Sequence, residues 1–350
     1  MMYAHLKLPS KHLQLGATKK HLKKKLTKQK KLFMATLKQM RVVKNRLSLL
    51  LIVTTLSACF FTYTREDIYI FSILGSMLWG APIVFYILLV AIRIRWKGVF
   101  WPWTQFIVLA ILPVLAYGRL AVSMPDNEIE KEHFRIATYN VNYYSDKNID
   151  EQIEVLEKID ADIISLLEVN PAWEKKLEEY TESYPYRHKV NDTRANATVG
   201  LSMLLSKFPI ETPQAHAEGY AVSYKINIVG KKLDIVQVHP LPPMSKALTQ
   251  SRNKTLEEVS KLELGEYKII LGDFNTVHWH KPMKEILSKQ GVRVASKGQL
   301  SWPVPLPLAP IDHILTSYNL PHGGSGKVCP MYSDHCLIYS DVNLEEAFNK

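Results

Sequence analysis

Three long stretches without a charged residue follow one another in the first third of this chain. Residues 47–64, 68–92 and 98–118 contain 18, 25 and 21 residues respectively, with no Asp, Glu, Lys or Arg among them. At a helical rise of about 1.5 Å per residue, each stretch is long enough to cross a hydrocarbon layer about 30 Å thick. Buried helices of a soluble protein are the alternative, and three such stretches in succession disfavour it. We predict three transmembrane helices within residues 47–121.

The distribution of basic residues predicts the orientation of these helices. Residues 1–46 contain 14 Lys or Arg and no acidic residue, whereas the loops at 65–67 and 93–97 contain one and three basic residues. Because the more basic segments stay in the cytoplasm, we expect the tail and the second loop to be cytoplasmic. Three crossings then place residues 122–350 on the outer face of the inner (plasma) membrane.

The basic tail, residues 1–46, has two interpretations. Its lysine-rich blocks at 23–25 and 28–31 are typical of a topology signal that lies on anionic membrane lipids, and we favour this interpretation. The alternative is an arm that binds nucleic acid. The net charge of +11 belongs to the tail, because residues 122–350 contain 25 basic and 31 acidic residues, a balance of −6.

Residues 122–350 alternate between strand and helix patterns and form a third predicted region of the chain. Strand patterns cover residues 135–142, 162–169, 198–205, 221–229, 232–239, 268–273, 311–317 and 335–342. Helical patterns cover residues 149–159, a charged segment that begins at Pro171, and residues 245–264. Gly230-Lys231 separates two alternating strands, as in a β-hairpin. This order predicts an α/β (α+β) four-layer sandwich, in which helices flank two packed β-sheets.

Polar residues recur where these apolar strands begin or end. The residues able to bind metal or phosphate at these positions are Asn140, Glu168, His239, Asp273, Asn275, Asp312, Asp334 and His335. Burying an unpaired charge costs several kcal/mol or more, so such residues need partners. The recurrence therefore predicts one convergent polar site.

The segments that carry these residues resemble a known superfamily. They are TYNVN at 138–142, LLEVN at 166–170, GDFN at 272–275, IDHIL at 311–315 and SDH at 333–335. In this order they resemble the endonuclease/exonuclease/phosphatase superfamily, the deoxyribonuclease I-like phosphoesterases, over residues 134–341. The resemblance implies a hydrolase that acts on phosphate ester bonds. It also implies Mg²⁺ as the cofactor, with Mn²⁺ as the alternative ion.

Roles for individual residues come from the same resemblance. It implies that Glu168, Asn140 and Asp334 form the metal site. Asp273 would orient or deprotonate the attacking water, and His239 and Asn275 would each hold a phosphate oxygen. His335 would face the phosphate, with Asp312 fixing its tautomer.

Further details are similar to one branch of the superfamily, the membrane-anchored bacterial members linked to glycopeptide resistance. These details are the three predicted spans, the Pro-Leu-Pro-Pro sequence after His239, and Trp302-Pro303. Leu337 departs from the pattern, since many of these relatives have proline there. The resemblance to this branch implies a lipid-linked phosphate or pyrophosphate as the substrate and membrane lipids as partners.

Several residues near the motifs have an ordinary structural interpretation. Asn142 is either a turn residue or a second metal ligand, and the pattern does not decide between them. We expect His313 to be structural and His278 and His280 to belong to a polar loop rather than to bind a metal. We expect Cys336 to be a core residue. The sequence does not decide whether it forms a disulfide with Cys329.

Two other functions are alternatives to a lipid phosphoesterase. A nuclease gains affinity by neutralising several phosphates with Lys and Arg, and a domain with a charge of −6 is poorly suited to that. A non-catalytic anchor built on the same fold is expected to have lost at least one residue of the site. Glu168, Asp273, Asn275, Asp312 and His335 are all present.

Overall fold

The computed structural model describes residues 23–40, 134–179, 183–190 and 201–349. The three predicted transmembrane helices and the predicted domain boundaries at residues 46 and 121 lie outside these ranges. Among the helices within the described ranges, none has the length and hydropathy that a membrane crossing needs. Helix α1, residues 23–40, belongs to the basic tail and is exposed along its whole length.

The described part of residues 134–349 contains two six-stranded sheets. The first sheet has the order β11-β12-β1-β2-β4-β3. Its strands are β1 (Phe134–Asn140), β2 (Ile163–Val169), β3 (Tyr186–Lys189), β4 (Leu201–Ser206), β11 (His322–Val328) and β12 (Leu337–Val342). The second sheet has the order β5-β6-β7-β8-β10-β9. Its strands are β5 (Ile210–His216), β6 (Ala221–Ile228), β7 (Lys231–Val238), β8 (Tyr267–Asp273), β9 (Val292–Val294) and β10 (Asp312–Ser317).

Helices cover the outer face of each sheet. They are α2 (Ile149–Ile159), α3 (Pro171–Glu179), α4 (Lys246–Ser260) and α5 (Lys281–Gln290), with a short α6 (Leu344–Phe348) near the end of the chain. Leu156 of α2 and Trp173 of α3 pack with Ile164 of the first sheet. Leu256 of α4 and Ile286 of α5 pack against apolar side chains of the second sheet. The predicted four-layer sandwich is therefore present in this part of the chain.

Every second side chain along the central strands packs in the space between the two sheets. Ile136 and Ile163 of the first sheet pack with Ile235, Ile269 and other apolar residues of the second. Their neighbours Ala137 and Ile164 point to the helices on the other face. This period of two is expected when both faces of a sheet are buried.

Backbone conformation explains two of the boundaries that differ from the sequence prediction. The hairpin turn consists of Val229 and Gly230, and not of Gly230 and Lys231, since Ile228 pairs with Lys231. Both turn residues have positive φ, 49° and 80°, which a β-branched residue rarely adopts. The first strand ends at Asn140, two residues earlier than predicted, because Asn142 also has positive φ.

A disulfide joins Cys329, which follows β11, to Cys336, which precedes β12. The sequence left this pairing open. Cys336 is also buried, as expected, and packs in the core between the sheets. The six residues between the two cysteines include Ser333, Asp334 and His335, so the bond closes a small loop around part of the predicted site.

The strand directions bring the predicted site residues to one end of the sandwich, called the site end below. The parallel pairs β1–β2 and β7–β8 finish there. The antiparallel strands β10 and β12 begin there, and Asp312 lies directly opposite Asp273 in the β8–β10 ladder. The other end is called the far end, and β1 starts there at Phe134.

Candidate active site

Glu168 owes its position to an irregularity in β2. The β2–β4 register shifts between Leu166 and Val169, and Glu168 itself has a φ of 59°. A non-glycine residue in this conformation costs on the order of 1 kcal/mol or more, and such strain often occurs at functional sites. The bulge leaves the Glu168 side chain partly exposed between buried neighbours.

Hydrogen bonds hold the Glu168 carboxylate towards β1. Its Oε1 accepts from the side-chain amide of Asn140 at 2.8 Å, and its Oε2 accepts from the backbone N–H of Tyr143 at 3.1 Å. Nε2 of His239 lies 3.6 Å from Oε1. Burial by itself would raise the pKa of Glu168, but His239, Asn140 and Tyr143 outweigh burial and lower it to about 2.

Asp312 and His335 form a buried pair. Nδ1 of His335 lies 2.8 Å from Oδ2 of Asp312, and its Nε2 lies 3.8 Å from Oδ2 of Asp273. Burial would lower the pKa of His335, but the carboxylates of Asp312 and Asp273 outweigh burial and raise it to about 10. The two carboxylates therefore favour the protonated form of this imidazole.

Asp273 lies at the centre of the group. Its Oδ2 is 3.4 Å from the side-chain nitrogen of Asn140 and 4.0 Å from Nε2 of His239. Its Oδ1 accepts from the backbone N–H of Asn275 at 2.8 Å. Burial, with repulsion from Asp312, raises the pKa of Asp273 to about 6, although both histidines oppose the rise. Asp273 is thus poised to exchange a proton near neutral pH.

Asn275 and Asp334 lie at the edge of this group. The side-chain amide of Asn275 donates to the carbonyl of Pro240 at 3.0 Å. Asp334 accepts from the side-chain amide of Asn142 at 2.9 Å and from the indole N–H of Trp302 at 3.1 Å. Asn142 is tied in turn to Asn140, whose Oδ1 accepts from its backbone N–H. Asn142 therefore connects Asp334 to the centre of the site.

The donor set suits a divalent cation. One atom each of Asp273, Asp312 and His335 lies within 4.8 Å of the others. Oδ1 of Asp312 and Nδ1 of His239 are buried and find no hydrogen-bond partner within the described part of the chain. Carboxylate oxygens at this density are what Mg²⁺ or Mn²⁺ takes as ligands. This cluster is not the predicted set of Glu168, Asn140 and Asp334, although Asn140 contacts both Glu168 and Asp273.

The neighbouring histidines have structural positions. Nε2 of His313 donates to the carbonyl of Thr276 at 3.0 Å, and Nδ1 of His280 lies 2.8 Å from the Thr276 hydroxyl. Both imidazoles are buried. His278 stacks edge-to-face on Trp279. Within the described ranges, none of the three belongs to a cluster of metal-binding side chains.

Three supporting residues had no predicted role. The Gln237 amide crosses from the second sheet and donates to Ser165 Oγ at 2.8 Å and to the Leu166 carbonyl at 3.2 Å. The Ser333 hydroxyl, in the SDH motif, donates to the Asn140 carbonyl at 2.7 Å. The Ser301 hydroxyl accepts from the backbone N–H of Asp312 at 3.1 Å. Gln237 and Ser301 lie outside the motifs, and each is a buried polar residue between apolar neighbours in the sequence, which is the one signal that singles it out.

The sequence of residues 137–335 matches the family model described as Endonuclease/Exonuclease/phosphatase family. This range begins in β1 and ends at His335, so it includes every predicted site residue. No significant sequence match to a curated protein is found.

Solved structures resemble this chain at low identity. An endonuclease/exonuclease/phosphatase from Bacteroides vulgatus is 15% identical with a TM-score of 0.49, and covers 61% of this chain and 99% of that one. A family protein from Leptotrichia buccalis is 18% identical with a TM-score of 0.48, over 60% and 99% of the two chains. The beta toxin of Staphylococcus aureus is 18% identical with a TM-score of 0.46, over 59% and 99%.

Proposed function

This chain belongs to the endonuclease/exonuclease/phosphatase family, and we propose that it is a membrane-anchored, Mg²⁺-dependent phosphoesterase of lipid-linked substrates. Membership of the family makes it a hydrolase of phosphate ester bonds. The proposed substrate is a lipid-linked phosphate ester or pyrophosphate at the outer face of the inner membrane. The observation that carries the proposal is the buried Asp312–His335 pair, which faces Asp273 beside Glu168 and Asn140.

The geometry divides the chemical work between the two imidazoles and Asp273. Phosphoryl transfer needs donors to the non-bridging oxygens and a positioned water. His335, protonated and held by Asp312, presents its Nε2 to the centre of the site and is placed to donate to a phosphate oxygen. His239 presents its Nε2 from the end of β7 in the second sheet and is placed to donate to a second oxygen. Asp273 lies between them and is the group placed to orient or deprotonate water.

A cation would lie among the carboxylates of this site. Glu168 is the first ligand we assign, because its carboxylate is ionised and held by Asn140 and Tyr143. Asp273 and Asp312 add two buried carboxylates to the same group. When bound, the ion supplies Lewis-acid stabilisation of charge on the phosphoryl oxygens. The side chains named above orient the phosphate and the water, and they donate or accept the protons.

Two properties of the chain support a lipid membrane as the place where it acts. Helix α1 exposes Leu26, Phe33, Leu37 and Met40, which recur at helical spacing, while its lysines fall mainly on the other side. A basic amphipathic helix of this kind binds anionic lipid surfaces. The negative balance of residues 122–350 disfavours a long polyanion such as DNA.

The test is a metal-dependent phosphate-release screen with the full-length protein in lipid. The substrates are a polyprenyl phosphate, a polyprenyl pyrophosphate, a phospholipid, and DNA. We expect Mg²⁺-dependent turnover of a lipid substrate and negligible cleavage of DNA. Rapid DNA cleavage with inert lipids would replace the proposal with a nuclease. The His335→Ala variant controls for a contaminating phosphatase.

A further inference from the structure

Four loops at the site end carry an uncharged, apolar surface, which we call the collar. The collar consists of residues 141–145, 240–245, 302–311 and 329–333, and none of them is Asp, Glu, Lys or Arg. Each loop exposes one large apolar side chain. These are Tyr144 (80% exposed), Met244 (72%), Leu306 (68%) and Met331 (69%). The four exposed apolar tips lie on separate loops at the same end of the sandwich.

The collar adjoins the site at every loop. Its four loops follow Asn140, follow His239, precede Asp312 and precede Asp334 in the sequence. Hydrogen bonds link three of them, two directly and the third through Asp334, which follows residues 329–333 in the chain. Ser145 Oγ donates to the Tyr332 carbonyl at 2.6 Å, and the Val304 N–H donates to the Asp334 carbonyl at 2.9 Å. The apolar tips are therefore held beside the phosphate chemistry by ordered loops.

Charged residues mark where the collar stops. Asp146, Lys147 and Lys246 follow two of its loops directly, and all three are exposed. The β5–β6 connection, which also lies at the site end, carries the exposed Glu218. An apolar surface with a polar border is typical of a docking surface for protein or membrane.

The far end provides an internal comparison. It also exposes large apolar or aromatic side chains, Val229 at 93%, Tyr318 at 67% and Tyr186 at 40%. Exposed charges lie near Val229, at Lys231 and Lys232, and in the α4–β8 connection, at Glu263 and Glu266, whereas the β10–β11 turn around Tyr318 has none. The collar therefore differs from the far end in its linked, proline-rich loops and not in exposure of apolar side chains alone.

Proline content gives a second, independent property of the collar. Eight of the 19 prolines of the chain lie in it, at positions 240, 242, 243, 303, 305, 307, 310 and 330. Proline has no backbone N–H. A loop that enters a lipid interface must leave few backbone donors without a partner, because each unsatisfied donor there costs free energy. Irregular loops rich in proline meet that requirement better than other irregular loops do.

We propose that the collar docks on the surface of a lipid bilayer and inserts its apolar tips between the headgroups, with the site opening towards the membrane. This inference rests on the proposed phosphoesterase function and specifies how that site meets its substrate. A bilayer is favoured over a protein partner because the proline-rich loops leave few backbone donors without a partner at a lipid interface. The predicted spans before residue 121 would also keep a bilayer within reach of the domain.

A fluorescence experiment tests the docking without using activity. Leu306→Cys and, as the matched far-end control, Val229→Cys are made in full-length protein carrying Cys59→Ser. Each variant is labelled with an NBD fluorophore and reconstituted in phosphatidylcholine vesicles. We expect blue-shifted emission and quenching by doxyl-labelled lipid at position 306, and neither effect at position 229. Equal exposure to water at the two positions would overturn the proposal and favour a protein partner.

A kinetic experiment separates the collar from the chemistry. Leu306→Asp, Met331→Asp and the control Val229→Asp are assayed on a lipid phosphate in vesicles and on a soluble nitrophenyl phosphate ester. We expect the ratio of lipid to soluble turnover to fall about tenfold for each collar variant, because an apolar insertion is lost. Val229→Asp should keep the wild-type ratio. An unchanged ratio in the collar variants contradicts docking, whereas wild-type protein inert on both substrates contradicts the proposed function.

Discussion

The Nδ1 atom of His335 lies 2.8 Å from Oδ2 of Asp312, and both side chains are buried. A carboxylate in this position fixes the orientation of the imidazole and stabilises its proton. The pair should act as one unit. We expect His335→Ala to lower turnover by about 10²–10³, the usual cost of one transition-state contact. The Asp312→Ala/His335→Ala double variant should be little worse than His335→Ala.

The measurement for this first prediction is kcat for the single and double variants at saturating Mg²⁺. His322→Ala is the matched control, because His322 is an exposed histidine at the far end and should keep wild-type turnover. Fully multiplicative losses in the double variant would show that Asp312 works independently of His335.

Removing the Glu168 carboxylate should raise the metal requirement. Glu168→Gln keeps the size of the side chain and removes the charge that attracts a cation. We expect the Mg²⁺ concentration for half-maximal activity to rise by about tenfold or more, since a cation site loses a charged ligand. Chelation with EDTA should abolish activity of the wild type. Glu157→Gln, a change at an exposed position of α2, should alter neither value. A wild-type rate for Glu168→Gln at limiting Mg²⁺ would remove Glu168 from the metal site.

Gln237 should contribute to stability through the bulge that positions Glu168. Its amide donates to the carbonyls of Leu166 and Met203, both at 3.2 Å. Gln237→Leu leaves these buried carbonyls without that donor, so we expect the free energy of unfolding to fall by about 1–3 kcal/mol. Thermal unfolding measures the effect, with Gln214→Leu on the exposed face of β5 as the control. Equal melting temperatures for the two variants would contradict this role.

Acid should destabilise the fold through two buried histidines. Burial lowers the pKa of His313 to about 4 and that of His280 to about 3. In the unfolded chain both titrate near pH 6.5. Their contribution is therefore fully present above about pH 6.5 and is lost as the pH falls through the folded pKa values. We expect urea unfolding between pH 6.5 and 4 to show uptake of up to two protons. His313→Asn should reduce that slope by one, and an unchanged slope would contradict the assignment.

Breaking the Cys329–Cys336 disulfide should lower activity as well as stability. The bond closes the loop that contains Asp334 and His335, so its loss frees the segment that positions the imidazole. For so short a loop we expect a loss of roughly 2–3 kcal/mol in the free energy of unfolding. The Cys329→Ser/Cys336→Ser variant and wild type treated with dithiothreitol should behave alike. Cys59→Ser is the control, and full activity after reduction would contradict the positioning role.

The elements with a strong apolar pattern could be predicted from the sequence. Strands β2 and β8 are continuous apolar runs buried on both faces, and α2 shows its buried stripe at helical spacing. Strands β5 and β11 could not be predicted in this way. Much of β5 is exposed at a sheet edge, and β11 contains three glycines and sits next to β12 only. Their pairing depends on neighbours distant in the chain and not on their own composition.

The positions of several candidate site residues could also be predicted from the sequence. Position at a strand end was enough to bring together Asn140, Glu168 and Asp273, because parallel strands finish at one edge, and the antiparallel β10 begins opposite them at Asp312. The fine division into ligands and acid–base groups was not accessible, since it depends on distances such as those around Asp273. The helix α5 was also missed, although Pro282 in its first turn is a typical start signal.

If the predicted membrane spans precede the domain, the direction of β1 sets the distance that residues 120–133 must cover. The strand enters at Phe134, at the far end, and its seven residues span roughly 20 Å before the chain reaches the site. A collar resting on lipid therefore requires the preceding residues to run back past the height of the sheet. Residues 120–133 reach at most about 50 Å when fully extended, so they are long enough for this return. Deleting half of them would reduce that reach to about 25 Å, little more than the span of β1, which leaves almost no length for the loops at either end.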